Sequence, residues 1–191
     1  DLAIYRTIPG MAVITPSDDL SAEELTVQLL QYDSPTYMRT ARNKTPRIYD
    51  RDSVTELQIG KGSLIRSGAD VCIIACGVMV NVARDAAVML ADEGISASVV
   101  DMHTVKPLDT DLIDQQISTC GCIVTAEDHS VIGGLGGAVA EYLATTSPTP
   151  LEMVGVKDKF GQSGASSDLM STMQLTADDI VSAARRSISR K

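Results

Sequence analysis

The stretch from Cys122 to Leu143, CIVTAEDHSVIGGLGGAVAEYL, constrains the fold of this 191-residue chain more than any other. Residues 123–126 form a short, β-branched apolar run suited to a parallel strand buried on both faces. Glu127, Asp128 and His129 follow as an acidic-histidine turn at its carboxyl end, and a glycine cluster at 133–137 then opens a helix. The unit therefore reads strand, turn, helix. Glycines in a first helical turn allow close approach, either of the neighbouring sheet or of a bound anion, and close helix packing is the favoured reading. A dinucleotide fingerprint is excluded, because the G-x-G-x-x-G spacing from Gly134 requires glycine where Val139 stands.

The same alternation surrounds this unit. Strands are predicted at 71–76, 96–101, 122–126 and 151–156, and helices at 79–92, 107–118 and 134–144. A last helix opens at the capping-box spacing Thr176–Asp179 and aligns Ile180, Ala184 and Ile188. Strands alternating with helices at short spacing force parallel pairing with right-handed crossovers. The fold class is α/β: a three-layer, open, mainly parallel sheet. Its strand ends define an expected ligand rim at Gly77, His103, 127–129 and 157–160.

Earlier residues are sparser. A helix stops at Pro9-Gly10, a strand follows at 11–15, a capping box Ser21–Glu24 starts a helix through Gln31, and a second strand covers 35–41. Residues 1–46 thus read as a piece of a separate α/β unit, 47–70 as a linker with an edge strand or hairpin, and 71–191 as a complete domain. Asp1 opens in what reads as the middle of a helix, so a preceding segment is expected.

Composition excludes several function classes. With a formal net charge of −9 and no basic run, a nucleic-acid partner is not expected. No apolar run approaches the roughly 18 residues of a membrane span, and a cytoplasmic location is expected. Cys72, Cys76, Cys120 and Cys122 lie in apolar runs without histidine company, which suits reduced core thiols better than a metal site. His103 and His129 are read as structural or interface residues, and no serine stands on a nucleophile elbow. Arg42 falls where its strand should end. There it either grips a phosphate bidentately or serves as a solvated or ion-paired charge, and Arg39 is a lesser candidate of the same kind.

Residues 1–18 match the R-x-I-P-x-M-x-V-x-x-P-x-D pattern, and four further stretches follow in order: SPTYMRTARN at 34–43, DMHTVKPLD at 101–109, EDHSVIGGLGGAV at 127–139 and DKFGQSG at 158–164. Together they resemble transketolases, covering the end of the pyrimidine-binding domain and the carboxyl-terminal domain. The resemblance implies a thiamine-diphosphate enzyme with Mg²⁺, moving a two-carbon ketol unit between phosphorylated sugars. It implies as partners a diphosphate-binding subunit and a second copy in a homodimer. It places the glutamate that activates the cofactor before Asp1 and the metal motif on the partner domain. No catalytic, cofactor or metal residue is therefore expected here, and these residues alone are expected to be inactive. Arg42 matches the family arginine that binds the sugar phosphate, within Ala41-Arg42-Asn43-Lys44 rather than Ser-Arg-Gln-Asn. Deoxyxylulose-phosphate synthase, the beta subunit of 2-oxo acid dehydrogenases and a non-catalytic assembly module are the alternatives.

Overall fold

The computed structural model describes residues 1–191. Its larger sheet contains Ser63–Arg66 (β3), Val71–Ala75 (β4), Ala97–Asp101 (β5), Ile123–Ser130 (β7) and Leu151–Val156 (β8), in the order β3-β5-β4-β7-β8. All neighbours are parallel except β3, which runs antiparallel to β5 as an edge strand. The linker strand therefore forms no hairpin with β4, its neighbour in sequence.

Strand β4 shows why the sheet sits in the middle layer. All five of its residues are buried, and successive side chains point to opposite faces. Val71, Ile73 and Ala75 pack with Met79–Asp92 (α3) and Ala177–Ile188 (α7), while Cys72 and Ile74 pack with Thr110–Cys120 (α4) and Leu135–Thr145 (α5). The result is a helix–sheet–helix sandwich. The four cysteines are free and buried within it.

Helix α7 carries the expected capping box, with Thr176 and Asp179 satisfying each other's backbone N–H groups. Thr176→Ala is expected to cost about 1 kcal/mol in urea unfolding, since it orphans one of those donors.

A second, three-stranded sheet joins the early residues to the rest. Ala12–Ile14 (β1) lies between Thr36–Met38 (β2), parallel, and Thr104–Lys106 (β6), antiparallel. Strand β6 was not expected from the sequence; three residues carry too little periodicity to show it. Leu2–Arg6 (α1) closes the junction. Leu2 enters the α4/α5 side of the core, Tyr5 stacks on Tyr37 with centroids 3.8 Å apart, and Arg6 binds the Gly133 carbonyl and Glu141. Helix Asp19–Leu29 (α2) begins earlier than its expected Ser21–Glu24 box. Its cap is Asp18 paired with Ser21. Asp18 gains by this, because its other oxygen accepts the N–H groups of Ile48 and Tyr49. A short helix, Ser166–Thr172 (α6), was also unforeseen.

Candidate functional site

The carboxyl ends of the two sheets meet. The Gly77 N–H donates to the Thr15 carbonyl at 3.2 Å, joining the end of β4 to the end of β1. At φ +56°, a side chain on Gly77 would be strained and would run into Thr15 Oγ1. Beside this contact opens a cleft of about 410 Å³. One wall is the strap from Arg39 to Pro46; the other comes from Gly77, Asn81, Asp128 and α6.

The strap is held at both ends. Its start is fixed by the Arg39 N–H on the Ile14 carbonyl, 2.9 Å, and by the Arg39 guanidinium on Asp1, 3.2 Å. At its far end Thr45 donates to the Ser17 carbonyl, Asn81 donates to the Pro46 carbonyl, and Arg47 donates to both carboxylate oxygens of Asp19. Between these anchors residues 40–44 are exposed. Arg42 and Lys44 stand there two residues apart, outside the ion pairs that engage Arg6, Arg39, Arg47, Arg51, Lys61, Arg185, Arg186 and Arg190. The structure thus brings both sequence-predicted arginines to one cleft. Arg42 comes from the strap rather than from a strand end, since β2 stops at Met38.

The expected rim divides. Gly77 and Asp128 line the Arg42 cleft, whereas His129 and Lys159 line an adjoining one of about 500 Å³ that also includes Asp128. His103 and Glu127 are fully buried. Residues 127–129 do not form a turn. Strand β7 continues through them because Ser130 still pairs with Val156 of β8. Glu127 turns inward, and its two oxygens accept the N–H groups of Leu135 and Gly136 at 2.7 and 2.8 Å. The amino end of α5 therefore already holds an anion, one from its own chain. A Cβ on Gly134 would overlap the Glu127 carboxylate, so the glycine cluster serves close packing.

Behind the cleft lies a buried acid that the sequence reading missed. Asp101, at the end of β5, accepts hydrogen bonds from Ser17 and from Tyr49, the latter at 2.8 Å, and its Oδ1 has no partner. Burial pushes its pKa up to about 7, against the two hydrogen bonds that lower it. An acid closing an otherwise apolar strand was the available signal. Burial also pulls His103 down to about 4, so its imidazole is neutral; Nδ1 contacts Thr104 Oγ1 at 3.1 Å and Nε2 is unpartnered. Asn81 was missed as well, and nothing in its local sequence marks it.

Comparison with known proteins follows the same outline. Residues 60–180 match the family described as transketolase, C-terminal domain. The 6-deoxy-6-sulfo-D-fructose transketolase subunit SqwH of Clostridium sp. (strain MSTE9) is 44% identical over 191 residues, 100% of this chain and 59% of that protein. The 1-deoxy-D-xylulose-5-phosphate synthase of Heliobacterium modesticaldum (strain ATCC 51547 / Ice1) is 36% identical over 97% of this chain and 29% of its own length. A solved split gene transketolase, described as an inactive beta4 tetramer, superposes with a TM-score of 0.95 at 39% identity, covering 98% of this chain and 61% of that one. The chain thus spans about six-tenths of the subunits it resembles.

Proposed function

Since the chain belongs to the transketolase C-terminal domain family, we propose that it works as part of a two-subunit ketol transferase and grips the anionic end of the sugar with Arg42. The observation that carries this reading is the strap: anchored at both ends, it presents Arg42 and Lys44 unpaired over a cleft in a chain whose net charge is −9. Leaving a guanidinium unpaired among so many carboxylates suits an anion that arrives from outside. Of the relatives named above, one is a transketolase subunit for a sulfo-sugar and another a synthase of a sugar phosphate, and an anionic end group is common to both compounds.

Thiamine diphosphate and Mg²⁺ do not fit the residues present here. No group of three or more His, Cys, Asp or Glu side chains gathers to hold a metal ion, and the amino end of α5 is filled by Glu127. We assign the Mg²⁺ and the diphosphate to the partner's diphosphate-binding domain and the activating glutamate to a segment before Asp1, so residues 1–191 contribute substrate binding and subunit packing. No helix is long and apolar enough to cross a membrane.

The test is reconstitution with the diphosphate-domain subunit of a split transketolase, followed by assay of ketol transfer between phosphorylated sugars. Arg42→Gln is expected to lower kcat/KM about thirtyfold, mostly through KM, as the loss of a charge-assisted pair made in both ground and transition states. Unchanged kinetics would sink the role of Arg42. The likeness to the synthase favours a second reading, which formation of 1-deoxy-D-xylulose 5-phosphate by the same assembly would support.

A further inference from the structure

The cleft has a second wall, and that wall carries the opposite charge. Asp128 projects from β7 into the space bounded on the other side by Arg39, Arg42 and Lys44. Its tip is exposed, yet desolvation of the rest of the side chain raises its pKa against the opposing positive charge of Arg39, which gives it no hydrogen bond. Its neighbours on that wall are Asn81, whose amide is committed to the Pro46 carbonyl, and Ser166 and Met170 of α6. Asp128 also lines the adjoining cleft of His129 and Lys159, so it stands on the ridge between the two. A ligand whose anionic group sits on Arg42 must extend either along the strap or across towards this carboxylate.

Resting on the Arg42 reading, we propose that Asp128 is a specificity residue: it accepts hydrogen bonds from the hydroxyls of a sugar held by one anionic end, and it rejects sugars carrying anionic groups at both ends. A carboxylate is acceptor-only, so hydroxyl donors satisfy it and a second phosphate does not. Like charges brought together in a partly desolvated cleft cost enough to discriminate between ligands of otherwise similar shape. Thus the polarity of the cleft, cations on the strap and an anion on β7, selects a singly anionic polyol.

The experiment is calorimetric titration of the chain with glucose 6-phosphate and with glucose 1,6-bisphosphate. The chain is expected to prefer the monophosphate. In Asp128→Asn and in Asp128→Ser the preference should shift towards the bisphosphate about tenfold. Neither variant breaks a bond within the fold, so the urea midpoint should stay at the wild-type value. Arg42→Gln, run alongside, should weaken binding of the monophosphate about thirtyfold. Weakened monophosphate binding in Arg42→Gln with an unchanged preference in both Asp128 variants overturns this inference and leaves the Arg42 reading intact. Failure of the wild-type chain to bind glucose 6-phosphate overturns the Arg42 reading and this inference with it.

Discussion

Glu127→Ala is expected to destabilise the chain by about 4 kcal/mol in urea unfolding, because it empties a buried site and orphans two helix donors at once. The Glu127 side chain is fully buried, and each of its oxygens accepts one N–H at the start of α5. Removing it leaves the Leu135 and Gly136 N–H groups without acceptors in a place water does not reach. It also removes the negative charge that the amino end of the helix favours. Glu127→Gln is the informative companion. Its amide oxygen satisfies one N–H while its NH₂ faces the other, so about half the loss is expected. Equal stability of all three proteins would show that α5 is capped by some other means.

The second large effect is a pair of opposed titrations. Asp101 has a folded pKa of about 7 against an ordinary 3.8, so the folded chain keeps a proton there that the unfolded chain releases. Its contribution to stability is complete below about pH 4 and is lost as pH rises to about 7, on the order of 4 kcal/mol. His103 runs the other way. Its folded pKa is about 4 against an ordinary 6.5, so the unfolded chain binds the extra proton, and the contribution is present above about pH 6.5 and lost as pH falls to about 4. That term is on the order of 3 kcal/mol. In the wild type the two nearly offset each other. Urea unfolding between pH 4.5 and 6.5 should therefore show a shallow profile for the wild type, stability rising with pH in Asp101→Asn, and stability falling with pH in His103→Asn. Parallel profiles in the three proteins would remove this account. Slopes rather than absolute stabilities carry the test, since both substitutions also disturb packing.

These two predictions concern residues that the sequence showed only in part. Glu127 was visible as an acid at a strand end, but its destination was not. Nothing local says that β7 continues to Ser130 or that the carboxylate folds back onto a helix eight residues ahead. The glycines supplied the signal, read as close packing, but that the packed group is this carboxylate in the anion position was not legible. His103 was read as structural, which agrees with its burial. The depth of that burial, and its opposition to Asp101, depends on Ser17 and Tyr49 arriving from distant segments.

Residues 71–191 were the most legible, for a simple reason. Strands buried on both faces must be continuously apolar, and helices covering them must be apolar on one stripe, so each element writes its own environment into its spacing. The three layers, the parallel pairing, β8 at residues 151–156, α3 at 79–92 and the capping box of α7 follow from that local rule. What only the tertiary structure decided are the long-range partnerships: β6 beside β1, β3 beside β5, Asp18 holding residues 48 and 49, and a strap anchored to α2 and α3 with Arg42 at its exposed centre. A hydrogen bond between segments dozens of residues apart imposes no period on either of them. The sequence alone therefore determined the layers, while the cleft, made where two sheet ends and a strap converge, was decided by packing.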